Sequence, residues 1–96
     1  MSALLISQRV VDVSIWEQIM TADRDTRRSY GAQGDRQFRN TANLEEVLIL
    51  IDWDNADRAR LYAQSDDLRL TLARAGAIGP PLFWVLDGGE KAFTSG

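Results

Sequence analysis

Apolar and polar positions divide the chain into segments with two different periods. Leu4, Leu5 and Ile6, followed by Val10 and Val11, predict a strand over Ala3–Val11. Ser14-Ile15-Trp16-Glu17 fits a capping box, in which the Ser14 hydroxyl and the Glu17 carboxylate satisfy amides that have no partner in the first helical turn. Ile15, Trp16, Ile19 and Met20 recur at helical spacing and form one apolar face, and Gly31 suits the residue that closes a helix. Asp35–Asn40 predicts a short charged strand, Asn40-Thr41-Ala42-Asn43 a turn, and Glu45–Trp53 a strongly apolar strand. So short a connection makes the pair an antiparallel hairpin. Asp54 or Asn55 can cap the next helix, with Asp57 in its first turn, and Ser65 can cap a second helical piece, Asp66–Ala75, ended by Gly76. Gly79-Pro80-Pro81 stops any helix, Leu82–Leu86 is the last strand, and Gly88-Gly89 ends it before a tail expected to fray.

The order β-α-β-β-α-β is that of the ferredoxin-like split βαβ unit, an α+β fold with an antiparallel sheet, in one domain over 1–96. Right-handed crossovers place the first and third strands in the middle of the sheet. Those two are the apolar ones, and Arg36-Gln37-Phe38-Arg39 carries the charge of an exposed edge. Strand residues alternate between faces. Val47, Ile49 and Ile51 therefore oppose Leu48 and Leu50, and Leu82, Trp84 and Leu86 oppose Phe83 and Val85. Both faces are apolar, yet the helices of this fold cover one. A second copy of the same sheet is the simplest cover, giving a homodimer that closes as an α/β barrel. The alternative is a monomer whose loops or tail fold across the sheet.

Composition narrows the chemistry. With 96 residues and 45% apolar content, the chain is one globular domain with little core to spare. It has no cysteine, which favours a reducing compartment and a cytoplasmic location. Met1–Ser7 lacks the basic and long apolar regions of a signal peptide, and the longest aliphatic run, Val47–Ile51, is far short of a membrane span. Net charge is −3 with both signs interspersed, so neither nucleic acid nor a membrane is an expected partner. Ten of the eleven cations are arginine, which reads as base composition rather than function. The absence of histidine removes Ser-His-Asp and Cys-His catalysis and nearly all zinc sites.

Gln37-Phe38-Arg39-Asn40 with Glu46–Asp54, and Ala63–Arg69 running into Ala75–Pro81, resembles the antibiotic-biosynthesis-monooxygenase-like dimeric α/β barrel superfamily over nearly the whole chain. The resemblance implies a cofactor-independent oxygenase or related enzyme for a small aromatic or polyketide-like molecule, in a pocket between helices and sheet. It implies that Trp53 stands for the tryptophan of the oxygenases and Asn40 for their asparagine. Haem-degrading relatives bind iron through histidine, which this chain lacks, and cyclases of the superfamily often use histidine too. No cofactor or metal is expected.

Beside that resemblance, a hairpin centred on Thr41-Ala42 puts Phe38 and Asn40 on the face of Ile51 and Trp53. Ala59, Tyr62 and Ala63 share one side of the following helix. Trp53, Tyr62, Asn40 and Phe38 are the candidate substrate-binding residues, against the alternative that they are ordinary core and interface packing. No catalytic residue stands out. Without histidine, a base would be a carboxylate, a tyrosine, a water or the substrate itself. Asp52–Asp57 has carboxylates at calcium-loop spacing, but Asp57 and Ala63 occupy the glycine and bidentate-glutamate positions, so helix capping explains it better. Asp23-Arg24-Asp25-Thr26-Arg27-Arg28 could gate a pocket or clamp a carboxylate, but its alternating charge reads better as a solvated helix face. Gly88-Gly89 opens no helix and is no phosphate loop. Two function classes remain: a cofactor-free oxygenase or related enzyme, polyketide cyclase among them, and a non-catalytic small-molecule-binding or structural homodimer.

Overall fold

Strict alternation in the central strands decides what the sheet can pack against. The computed structural model describes residues 1–88. Its elements are β1 (Ser2–Val10), α1 (Val13–Ala22), α2 (Arg24–Tyr30), β2 (Ala32–Arg39), β3 (Glu46–Trp53), α3 (Ala56–Ala63), α4 (Asp66–Arg74) and β4 (Ala77–Asp87). They form one antiparallel sheet in the order β2-β3-β1-β4, with each crossover made of two short helices. The expected α+β ferredoxin-like fold, with the first and third strands central, is what the chain adopts. Among the described residues no helix is long and apolar enough to cross a membrane.

Leu4 pairs with Ile51 and Ile6 with Ile49, so these side chains share one face. With Val47 and Trp53 they pack against Trp16 and Met20 of α1, Ala59 and Tyr62 of α3, and Leu68 and Leu72 of α4 to make the core. The opposite face carries Leu5, Leu48, Leu50, Phe38, Leu82, Trp84 and Leu86 in register, with Leu5 beside both Leu50 and Trp84. Nothing in the chain's described part covers it, and Phe38, Leu82, Trp84 and Leu86 are exposed. A contiguous apolar surface of this kind marks an interaction face.

Four local expectations are corrected. The α1 N-cap is Asp12, whose Oδ1 accepts from the Ser14 and Ile15 amides at 2.8 and 3.2 Å, so Ser14 lies inside the helix and builds no capping box. Ile15 consequently points outward, and Trp16, Met20 and, less completely, Ile19 face the core. Gly79-Pro80-Pro81 lies within β4, which holds two extra residues opposite Ser7–Arg9. Proline is tolerated there because β4 is an edge strand. The Gln8 side chain donates to the Ile78 and Gly79 carbonyls that the bulge frees. Lastly, Asn40 pairs with Glu46 and Phe38 with Leu48, so the hairpin centres on Asn43 rather than Thr41-Ala42. That odd-numbered shift turns Phe38 to the open face, away from Trp53.

Gly31 closes α2 at φ +117°, a left-handed conformation that favours glycine, and a Cβ there would also displace the Asp54 carboxylate, whose Oδ1 would lie 2.7 Å away. Asn55 and Ser65 cap α3 and α4 as the sequence suggested. The expected fraying beyond Gly88 lies outside the described residues.

The open face leads to a quantitative expectation. Light scattering at micromolar concentration is expected to give twice the mass of one chain. Leu50→Asp, which places a charge in the middle of the uncovered apolar face, is expected to abolish that species, at a cost of several kcal/mol (order of magnitude). Arg39→Asp, on the edge strand and paired with Val47, is expected to keep it. A stable wild-type monomer, or equal dimer fractions in the two variants, would contradict this reading of the face.

Candidate functional site

The stripe that α1 and α2 turn toward the sheet runs Trp16, Met20, Asp23, Arg27, Tyr30, at spacings of four and three residues. That is one face of a helix. The helix breaks at Asp23 (φ −87°, ψ 2°), yet the stripe continues across the break. Asp23 and Arg27 are therefore drawn into the interior with the apolar residues on either side, exposed by 9% and 1%. The expectation of a solvated face holds for Asp25 and Arg28, which pair with each other near water, and fails for these two.

Arg27 organises what surrounds it. Its Nη2 donates to Asp35 Oδ2 at 2.9 Å, and its Nη1 lies 3.9 Å from Asp23 Oδ2. Arg24 also clasps Asp35, through Nε and Nη2, at 3.1–3.3 Å. Burial alone would raise the Asp35 carboxyl, but the hydrogen bonds and charges of the two arginines outweigh it and hold it below the usual carboxylate range. Asp23 stands at the N-cap of α2 without capping it, whereas Asp12, Asn55 and Ser65 all cap their helices. Its Oδ2 instead accepts a long hydrogen bond of 3.4 Å from the Tyr62 hydroxyl. Burial first, and the Asp23 charge second, push the Tyr62 phenol well above its ordinary value, so it stays neutral and donates.

Aromatic rings complete the cluster. Tyr62 lies 5.3 Å from Trp53, tilted by 41°, and 5.3 Å from Tyr30 in an edge-on arrangement. Tyr30 donates to Asp67 Oδ2 at 2.8 Å, linking α2 to α4. Among the described residues, four buried donors have no hydrogen-bond partner: Arg27 Nε and Nη1, Trp16 Nε1 and Trp53 Nε1. Two buried amide oxygens, Gln8 Oε1 and Gln37 Oε1, are also unpaired, on β1 and β2. Unpaired buried donors each cost free energy that a ligand oxygen or a water would recover.

A cleft of about 570 Å³ opens between α2 and α4, lined by Asp23, Thr26, Asp67, Leu70, Thr71, Ala73 and Arg74. A second of about 270 Å³ adjoins it, lined by Ile19, Ala22, Asp23, Thr26 and Arg74. Asp23 belongs to both, and the buried Tyr62 and Arg27 stand behind it.

Of the four residues read from the sequence, the fold brings two together. Trp53 and Tyr62 are in contact and fully buried, and neither lines these clefts. Asn40 is held in the hairpin, where its Nδ2 donates to Glu46 Oε1 at 2.6 Å and its Oδ1 accepts from the Ala42 amide. Phe38 lies on the open face under the Arg36 guanidinium, 5.8 Å from the ring centre. Asp54 pairs with Arg58, and Asn55 caps α3, which accounts for part of the acidic run. Sequence reading did not single out Asp35, and for Asp23 and Arg27 it ranked a pocket gate or carboxylate clamp below a solvated face. The four-three spacing from Trp16 to Tyr30 was the signal that placed Asp23 and Arg27 inside.

Asp35 yields a pH test. A carboxyl held low in the folded state stabilises above its unfolded value and loses that contribution as pH falls through the folded one. Asp35→Asn is expected to cost about 2 kcal/mol at neutral pH. The gap to wild type should shrink as pH drops through and below the carboxylate range. Urea melts across that range check it, and a constant gap would show that Asp35 acts by packing alone.

No family model matches the chain, and no curated protein matches it by sequence. Solved structures do match in fold. A putative antibiotic biosynthesis monooxygenase from Bordetella bronchiseptica superposes with a TM-score of 0.77 at 16% identity, over 91% of this chain and 95% of that one. SnoaB, a cofactor-independent oxygenase from Streptomyces nogalater, gives 0.72 at 8% identity over 95% of each. A monooxygenase from the gene ActVA-Orf6 of Streptomyces coelicolor, in complex with the ligand nanaomycin D, gives 0.69 at 15% identity over 98% and 92%. The chain has the fold of the antibiotic-biosynthesis-monooxygenase-like proteins, which the sequence pattern had suggested.

Proposed function

We propose that the protein is a cofactor-independent oxygenase-like enzyme for a small, acidic aromatic or polyketide-like molecule, taken up through the α2–α4 cleft and seated toward Trp53 and Tyr62. The observation that carries this reading is a set of four buried donors without a hydrogen-bond partner, from Arg27, Trp16 and Trp53; Arg27 and, through Tyr62, Trp53 stand behind Asp23, which lines that cleft. Donors held ready in a dry site stabilise an oxyanion as it forms and need no rearrangement to do so. An aromatic ligand whose oxygen becomes an enolate or phenolate presents that charge, and the indoles and Tyr62 offer flat apolar surface for its rings. The fold shared with SnoaB and the ActVA-Orf6 product supports the reaction class.

The chemistry balances without a cofactor. A CH₂ group flanked by rings loses a proton, and the carbanion supplies electrons to dioxygen. A C–O bond forms, giving a peroxide anion that takes up a proton. The hydroperoxide then loses water, leaving a carbonyl on the substrate. One oxygen atom stays on the product and the other leaves as water. The protein orients the substrate, stabilises its anion and excludes bulk solvent.

A second reading, a non-catalytic small-molecule-binding or structural homodimer, is favoured by one observation. Trp53 and Tyr62 are 1% and 0% exposed, so any ligand between helices and sheet must displace packed side chains.

Tryptophan emission during titration with 1,8-dihydroxyanthraquinone separates the two. Saturable quenching in wild type, weakened about tenfold or more in affinity by Trp53→Phe, is expected; that factor corresponds to about 1.4 kcal/mol. Absence of saturable quenching, or quenching indifferent to the substitution, would shift the balance to the structural dimer.

A further inference from the structure

We infer that Asp23 is the proton acceptor of the site, a catalytic role that rests on the oxygenase reading above. With no histidine in the chain, the base must come from a short set of groups. Asp23 and Asp67 line the α2–α4 cleft, and Asp35 shares Arg27 with Asp23; Asp35 and Asp67 are already engaged. Asp35 accepts four hydrogen bonds from Arg24 and Arg27. Asp67 accepts from Tyr30 at 2.8 Å. Asp23 is different. It occupies a helix N-cap position without capping, and its contacts to Tyr62 and Arg27 are long, at 3.4 and 3.9 Å. It also lines both clefts. A nearly buried carboxylate that is loosely held and reaches a cavity is placed to take a proton from whatever enters.

Its two neighbours suit that role. Tyr62 is a neutral phenol whose hydroxyl points at Asp23 Oδ2, so it orients the carboxylate. Arg27 keeps one long ion-pair contact to Asp23 through Nη1, and among the described residues its Nε and Nη1 lack a hydrogen-bond partner, which leaves them to receive the oxygen of the anion that Asp23 creates. In the step proposed, the substrate C–H bond breaks and its proton moves to an Asp23 oxygen. The electron pair stays on the substrate, delocalised onto the oxygen facing Arg27. After dioxygen adds, the same proton passes from Asp23 to the terminal peroxide oxygen, and the carboxylate is restored.

Turnover of 1,8-dihydroxyanthrone, followed by oxygen uptake and product absorbance, tests the assignment. Asp23→Asn, which preserves shape and a hydrogen-bond acceptor for Tyr62, is expected to lower kcat about 100-fold or more, with KM changed less than about threefold. Asp23→Glu keeps the charge beside Arg27 and serves as the variant safest for folding. Moving the carboxylate by one methylene is expected to lower kcat about tenfold or more. Asp23→Ala is expected to regain part of its activity with added formate, and none with added chloride. Asp25→Asn, two residues away on the exposed side, is expected to match wild type. Wild-type kcat in Asp23→Asn or Asp23→Glu would overturn the assignment and leave the oxygenase reading standing. No anthrone-dependent oxygen uptake by the wild type would overturn both.

Discussion

A guanidinium held almost entirely out of water at Arg27 is the constraint around which this domain is arranged. Desolvating such a charge costs several kcal/mol unless carboxylates stand close by. The chain supplies one from β2, Asp35, and one from the break between α1 and α2, Asp23. Arg24 steadies Asp35 from the same helix. The cluster thereby ties the first helical crossover to the edge of the sheet, and the Tyr62 hydrogen bond to Asp23 ties it to the second crossover. The α1–α2 break serves this arrangement, because it leaves the Asp23 carboxylate facing inward rather than capping α2.

The sheet beneath the cluster is built on a different rule. β1 and β3 carry large aliphatic residues on both faces, and the crossover helices cover only one. Leu5, Leu48 and Leu50 are left half-buried among the exposed Phe38, Leu82, Trp84 and Leu86. The two faces thus have separate tasks. One holds the core and the buried charges. The other is an apolar surface of the kind that partners cover.

Much of this was legible in the sequence, for physical reasons. The central strands were plain because continuous aliphatic runs have no other stable use in a chain this short. Gly31, Asn55 and Ser65 were plain because helix ends demand specific chemistry. The hairpin register was not. Several polar residues between Asn40 and Glu45 could each turn the chain, and a shift of parity exchanges the faces, which is how Phe38 and Asn40 were parted from Trp53. The Gly79-Pro80-Pro81 bulge was hidden because its support, the Gln8 amide, is distant in sequence. Asp23 and Arg27 were hidden by their charge, which outweighed a spacing that placed them inside.

The proposed site joins Asp23 and Arg27, behind the α2–α4 cleft, to Trp53 and Tyr62 as one binding site for an acidic aromatic molecule. A crystal structure with 1,8-dihydroxyanthraquinone tests it most directly. The rings are expected to lie between the helices and the Trp53–Tyr62 pair, with a ligand oxygen within about 3.2 Å of Arg27 or an indole N–H and Asp23 beside the ring carbon that reacts. A ligand found only on the open sheet face, with Trp16, Trp53 and Arg27 still lacking partners, would contradict it.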